Sequence, residues 1–304
     1  MAASRGAAPR GSRLRVALAQ MEPALGDLQK NIATHAKLAR QALKKGAGLV
    51  VFPELSLTGY RLQDLVSEVA VRIDASGPLR PLFDLSRRVA LAIGLVEESD
   101  GHRFYNSALF LEGGRVRHLH RKVHLPTYGM FEEGRYFAPG DSLRAFRTRR
   151  GRMGMLVCED LWHPATALVL AQDGADYLMV LSSGPTRGLE DPHQLMSQET
   201  WCDLLKVTAQ LQTTYVIWTN RVGFEDGVNF GGGSRVIDPL GRTIAQAPLF
   251  EERLLVCDLD RASLRRARTL FPLLRDERLP LVQREVARLI AAGGGADDPP
   301  RGGS

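Results

Sequence analysis

Three residues sit where they could do acyl chemistry together: Glu54, Lys122 and Cys158. Each closes an apolar stretch. Val50-Val51-Phe52-Pro53 leads into Glu54, Val116–His120 and Arg121 lead into Lys122, and Met155-Leu156-Val157 leads into Cys158. A thiolate is a strong nucleophile, but a free cysteine is mostly thiol at neutral pH. A carboxylate beside it takes the proton and passes it to a leaving amine. An ammonium stabilises the thiolate and the oxyanion of the tetrahedral intermediate. The set suits amide cleavage through a thioester, which water activated by the same carboxylate then releases. The lysine stands out because the chain uses arginine by default: its only lysines are at positions 30, 37, 44, 45, 122 and 206.

Singly, each residue has a plainer reading. A cysteine at a strand end is more often a small core residue. Glu54, after a proline, fits a solvated strand terminus, and most lysines are surface charges. Ligand sites in α/β sheets lie just beyond the carboxyl ends of strands. If the three strands neighbour one another, the three side chains converge on one pocket.

The positioning elements can be read from periodicity. Strands are expected at Arg15–Gln20, Gly48–Pro53, Leu91–Val96, Arg152–Cys158, Tyr177–Ser182, Tyr215–Thr219 and Leu254–Leu259. Helices are expected at Asn31–Ala47, Leu62–Val89, Thr166–Asp173 and Ser197–Leu211. Two hairpins are expected, one turning at Glu112-Gly113-Gly114 and one at Pro239-Leu240-Gly241-Arg242. Alternating strands and helices imply an α/β fold with mixed sheets. No linker interrupts Leu14 to Asp260, so residues 14–260 read as one domain. Residues 1–13 and 291–304 have the Gly-, Pro- and Ala-rich composition of disordered tails, and 261–290 reads as a C-terminal extension with a helix.

The composition, 44% hydrophobic and 24% charged, is that of an ordinary globular chain. No apolar run reaches the ~18–20 residues that span a bilayer, so no membrane partner is expected. The net charge of +6 is scattered and not interleaved with aromatics, so no nucleic-acid partner is expected either. Cys158, Cys202 and Cys257 are widely spaced, which disfavours a disulfide framework or a zinc site and suits a reducing, cytoplasmic compartment. Cys202 and Cys257 read as core residues. The chemistry needs no metal, flavin or nucleotide, so no cofactor is expected.

Three blocks of this sequence resemble the nitrilase superfamily of carbon–nitrogen hydrolases: Phe52-Pro53-Glu54-Leu55-Ser56-Leu57-Thr58-Gly59-Tyr60, Arg121-Lys122-Val123-His124-Leu125-Pro126, and Met155-Leu156-Val157-Cys158-Glu159-Asp160. Ala17-Leu18-Ala19-Gln20, Asn31, Asn220-Arg221-Val222-Gly223 and Gly232-Gly233-Ser234 echo it more weakly. The resemblance implies a four-layer αββα sandwich with mixed sheets. It assigns Glu54 as general base, Lys122 as oxyanion stabiliser and Cys158 as nucleophile. Phe131-Glu132-Glu133-Gly134-Arg135-Tyr136-Phe137 matches a further family segment. It places a second glutamate on Glu133, orienting Lys122 and the substrate amide, with Glu132 as its neighbouring competitor. It also implies a homodimer or larger homo-oligomer.

Among subfamilies the chain is most similar to the glutaminase domain of glutamine-dependent NAD synthetases. Leu125-Pro126-Thr127-Tyr128-Gly129-Met130-Phe131 and Cys158-Glu159-Asp160-Leu161-Trp162 carry that likeness, as does Thr58-Gly59-Tyr60. It implies that Tyr128 lies over the substrate and that Tyr60, Ser183 and Arg187 are substrate-binding candidates. Tyr128 also reads as a packed loop aromatic, and Arg187 as a surface residue. That subfamily's Ser-Pro pair falls on Gly184-Pro185, where the serine is missing. No Gly-rich nucleotide loop follows the hydrolase region, so NAD synthesis by this chain alone is not expected. The functional expectation is hydrolysis of the C–N bond of a small amide. A glutaminase feeding ammonia to a separate NAD synthetase and a non-catalytic binding scaffold are the alternatives.

Overall fold

The computed structural model describes residues 13–186 and 196–293. The first strand, β1 (Arg13–Gln20), is buried continuously from Val16, the mark of a strand covered on both faces. Asp27 then starts α1 (Leu28–Lys44), its carboxylate accepting from Lys30 N at 2.9 Å. The chain continues through β2 (Leu49–Val51), α2 (Val66–Val69), α3 (Arg80–Ser86), β3 (Ala90–Glu98), β4 (Phe104–Leu111) and β5 (Val116–Arg121). Next come α4 (Glu133–Tyr136), β6 (Phe146–Thr148), β7 (Gly151–Val157), α5 (Pro164–Gln172), β8 (Tyr177–Ser182), α6 (Met196–Leu211) and β9 (Tyr215–Asn220). The last part holds β10 (Val222–Glu225), β11 (Val228–Gly231), β12 (Arg235–Ile237), β13 (Thr243–Gln246), β14 (Arg253–Asp260), α7 (Arg261–Leu270), α8 (Leu273–Asp276) and α9 (Leu279–Ala291).

Two six-stranded mixed sheets result, in the orders β14-β1-β2-β3-β4-β5 and β13-β12-β9-β8-β7-β6. Leu18, Val51, Phe110, Met155, Met179 and Ile217 pack in the layer between them. Ile32, Ala36, Ala39, Leu82 and Phe83 of α1 and α3 cover the outer face of the first sheet. Ala167, Leu170, Trp201 and Leu205 of α5 and α6 cover that of the second. The expected four-layer αββα sandwich is present.

Both expected hairpins form, β4 against β5 and β12 against β13. The expected helix over Leu62–Val89 does not. Only α2 and α3 are α-helical there: Ala70 leaves α2 with an extended ψ of 141°, and Pro81 fits only the first turn of a new helix. Between them Val71 joins the first sheet, donating to Val96 O and accepting from Glu98 N, both at 3.0 Å. The β10–β11 hairpin turns at Asp226-Gly227, and β6 pairs with β7; neither was expected from periodicity. Cys202 and Cys257, read from sequence as core residues, are only half-buried. No helix among the described residues is long and apolar enough to cross a membrane.

Candidate active site

Glu54, Lys122 and Cys158 converge, though not by the route expected. Their strands are not neighbours: β3 and β4 stand between β2 and β5, and β7 lies in the other sheet. β2 runs parallel to β3, and two antiparallel steps bring β5 back to the same direction. Glu54 and Lys122 therefore leave the same edge of one sheet, and Cys158 reaches them from the sheet stacked against it.

Glu54 occupies a turn that the local sequence permits only narrowly. The next residue, Leu55, has a left-handed φ of 46°. Gly94 of β3 lies beneath, where a Cβ would stand 2.4 Å from both Leu55 N and Pro53 O. Asn31 of α1 braces the loop beyond by donating to Leu57 O at 3.0 Å. The Glu54 carboxylate is buried. Its Oε1 accepts from Asn106 Nδ2 and Lys122 Nζ, both at 2.8 Å, and its Oε2 from Ser183 N at 2.7 Å. Asn106 lies on β4.

Lys122 Nζ also donates to Glu133 Oε1 at 2.7 Å, so it bridges two buried carboxylates while 1% exposed itself. Burial pulls the ammonium down, but Glu133 and Glu54 outweigh it and hold Lys122 well above its ordinary value. Burial pushes the Glu133 carboxyl up to about 7, against the pull of Lys122 and with added repulsion from Glu54. Tyr60 OH donates to the same Glu133 Oε1 at 2.6 Å, while the buried Oε2 has no partner among the described residues. The competing Glu132 is exposed.

Cys158 follows β7 with a left-handed φ of 43°, turning the chain into the 3-10 helix Cys158–Trp162. Non-glycine residues adopt that conformation at a cost of about 1–3 kcal/mol and often at functional turns. Burial, and then the charge of Glu54, push the thiol well above its ordinary value, so it rests protonated. Asp160, two residues on, ties this turn to the Lys122 segment. Its Oδ2 accepts from Val157 N at 3.0 Å and His120 Nε2 at 2.8 Å, and its Oδ1 accepts from Val123 N and His124 N, both at 3.0 Å. Burial would raise this carboxyl, but the bonds from His120 and His124 hold it below the usual range. Reading the sequence took Asp160 as part of a motif and missed this structural task.

A cavity of about 260 Å³ opens on Cys158, walled by Tyr128, Phe131, Glu159, Trp162, Gly184 and Trp201, among others. Tyr128 is more than half exposed, and its OH donates to Glu159 Oε1 at 2.9 Å. At Gly184 a Cβ would stand 3.2 Å from Trp201 Nε1, a tight contact, so a side chain there would press on the indole. Of the other substrate-binding candidates, Ser183 directs both its N–H and its Oγ to Glu54, and Tyr60 directs its hydroxyl to Glu133. Arg187 lies outside the described residues. Among the described residues no group of three or more His, Cys, Asp or Glu is arranged to hold a metal ion.

The family model described as carbon-nitrogen hydrolase matches residues 15–269. The glutamine-dependent NAD(+) synthetase of Thermotoga maritima is 32% identical over 252 residues, covering 82% of this chain and 42% of that one. The chain thus spans less than half the length of the NAD synthetases it matches. An (R)-stereoselective amidase of a Pseudomonas species is 32% identical over 275 residues, covering 88% of this chain and 93% of the amidase. A crystal structure of a carbon-nitrogen hydrolase from Helicobacter pylori superposes with a TM-score of 0.79 at 28% identity, covering 89% of this chain and 97% of the other.

Proposed function

The chain belongs to the carbon–nitrogen hydrolase family, and on that premise we propose that it cleaves the C–N bond of a small amide through a thioester on Cys158. The carrying observation is the buried Lys122 ammonium bridging Glu54 and Glu133 beside that thiol. Cys158 Sγ attacks the amide carbonyl as Glu54 takes its proton, since the buried thiol rests neutral. Lys122 stabilises the oxyanion. Glu54 passes the proton to the nitrogen, the C–N bond breaks, and ammonia or an amine leaves. Water then attacks the thioester, giving one proton to Glu54. The C–S bond breaks, the acid departs, and the thiol regains that proton. Glu133 Oε2, buried and without a partner among the described residues, accepts from the N–H of the substrate amide.

The aromatic cavity wall and the indole against Gly184 favour an apolar acyl group. The second reading, a glutaminase serving a separate NAD synthetase, is favoured by the NAD synthetase relatives and by the Tyr128–Glu159 pair at the cavity wall. Ammonia release from propionamide, benzamide and L-glutamine separates the two. Cys158→Ala tests both, along with the binding-scaffold alternative. Turnover surviving in a folded Cys158→Ala protein would overturn the catalytic reading.

We also expect a homo-oligomer, measurable by light scattering. Leu270, Phe271, Leu279 and Ile290 of the α7–α9 region are exposed and suited to self-association. Three free cysteines suit the reducing cytoplasm.

A further inference from the structure

The β10–β11 hairpin contributes no side chain to the cavity wall, yet a line of contacts runs from it to Glu133. Arg221, just before β10, is fully buried and pairs through Nη1 with Glu225 Oε2 at 2.5 Å. The other oxygen of Glu225 accepts from Tyr60 N at 2.7 Å and from Arg61 N at 2.5 Å. Gly59, with φ +86°, makes the approach possible: a Cβ there would stand 2.9 Å from Leu25 Cα and 3.0 Å from Glu225 Oε2. The Tyr60 ring meets Phe230 of β11 edge-on at 6.1 Å, and its hydroxyl reaches Glu133.

A buried ion pair contributes little net stability, since desolvation offsets its attraction. This one also leaves Arg221 Nε and Nη2 without hydrogen-bond partners among the described residues. Its persistence in the core calls for another role. We propose that Glu225, held by Arg221, is a positioning residue: it fixes the backbone at Tyr60 so that the Tyr60 hydroxyl holds Glu133 against Lys122. The inference rests on the roles given above to Glu133 and Lys122. The charged and titratable groups facing Glu133 are Lys122, Glu54, Tyr60 and Cys158.

The test is a double-mutant cycle on the full chain with Tyr60→Phe and Glu225→Gln. The probe is iodoacetamide, a small amide that alkylates Cys158 Sγ with loss of iodide as the thiol proton passes to Glu54; labelling of Cys158 is resolved from that of Cys202 and Cys257 by peptide mass spectrometry across pH. Each single variant is expected to slow labelling about 10- to 100-fold, the scale of a misplaced site group, and to displace the acid limb of the profile. The double variant is expected to be no slower than the slower single one. Wild-type labelling by E225Q with its limb unmoved, or effects that multiply in the double variant, would overturn the proposal.

Arg221→Met with Glu225→Gln removes the unpaired buried charge that could unfold E225Q. It is expected to recover the unfolding midpoint while labelling stays slow; labelling that recovers together with stability would mark the pair as merely structural and sink the proposal. Failure of the functional reading is scored separately, as ammonia release surviving in C158A with Glu225 intact.

Discussion

His120 Nε2 donates to Asp160 Oδ2 at 2.8 Å, tying the end of β5 in one sheet to the turn after β7 in the other. Both side chains are buried. Because Asp160 also accepts from Val157 N and from Val123 N and His124 N, one carboxylate sets the interval between the Lys122 and Cys158 segments.

Asp160→Asn replaces two acceptor oxygens with one and turns an amide donor toward other donors. Unsatisfied buried groups cost about 1–3 kcal/mol each. Thermal unfolding should register that loss, and kcat should fall about 100-fold from the displaced lysine and thiol. An unchanged kcat would show that the interval is set elsewhere.

The pH profile should carry the mark of Glu133. Burial pushes this carboxyl up to about 7, and its proposed role as acceptor of the amide N–H requires the ionised form. kcat/KM should therefore fall as pH drops through about 7, approaching tenfold per unit. Glu133→Gln should lower the rate and abolish that limb. Stability moves the other way. A raised carboxyl binds its proton more tightly in the folded chain, so its contribution is full below the ordinary 4.5 and is lost as pH rises toward 7. Over that window, urea midpoints of E133Q should gain on those of the wild type.

Gly94→Ala should damage a site its side chain never enters. The added methyl would meet Leu55 N and Pro53 O at 2.4 Å, forcing the Glu54 turn outward. A loss of about 1–3 kcal/mol in stability is expected, together with a drop in kcat. Gly101→Ala, where nothing lies within 4 Å, serves as the control and should leave both within error.

Tyr128→Phe removes the bond to Glu159 while keeping the ring over the cavity. Steady-state kinetics should show KM raised several-fold with kcat within about twofold, the pattern of lost ground-state binding. A fall in kcat with KM unchanged would instead place Tyr128 in the chemistry.

The three central residues were singled out by the family blocks around them, since alone each has a plainer reading as a core thiol, a solvated strand end or a surface charge. Their convergence was legible only in part. Strand order cannot be read from periodicity, and the assumption of neighbouring strands gives way to two stacked sheets. The resemblance placed the second glutamate on Glu133 with Glu132 as its competitor; in the structure Glu133 is buried and Glu132 exposed. Leu79, Leu82 and Phe83 follow helical spacing, which hid the break that begins at Ala70. The Asp226-Gly227 turn was readable as a hairpin signal, but the exposed Phe224 and polar Asn229 blur the alternation around it. Glu225 could not be assigned at all, because its partner at Tyr60 lies 165 positions away.

The layer between the sheets also acts as a gauge. The proposed base leaves one sheet and the nucleophile the other, so Phe110, Met155, Met179 and Ile217 between them serve as shims. A methylene added or removed there changes how far a proton travels from sulfur to carboxylate. Core substitutions remote from the thiol are therefore a means of tuning rate as well as stability.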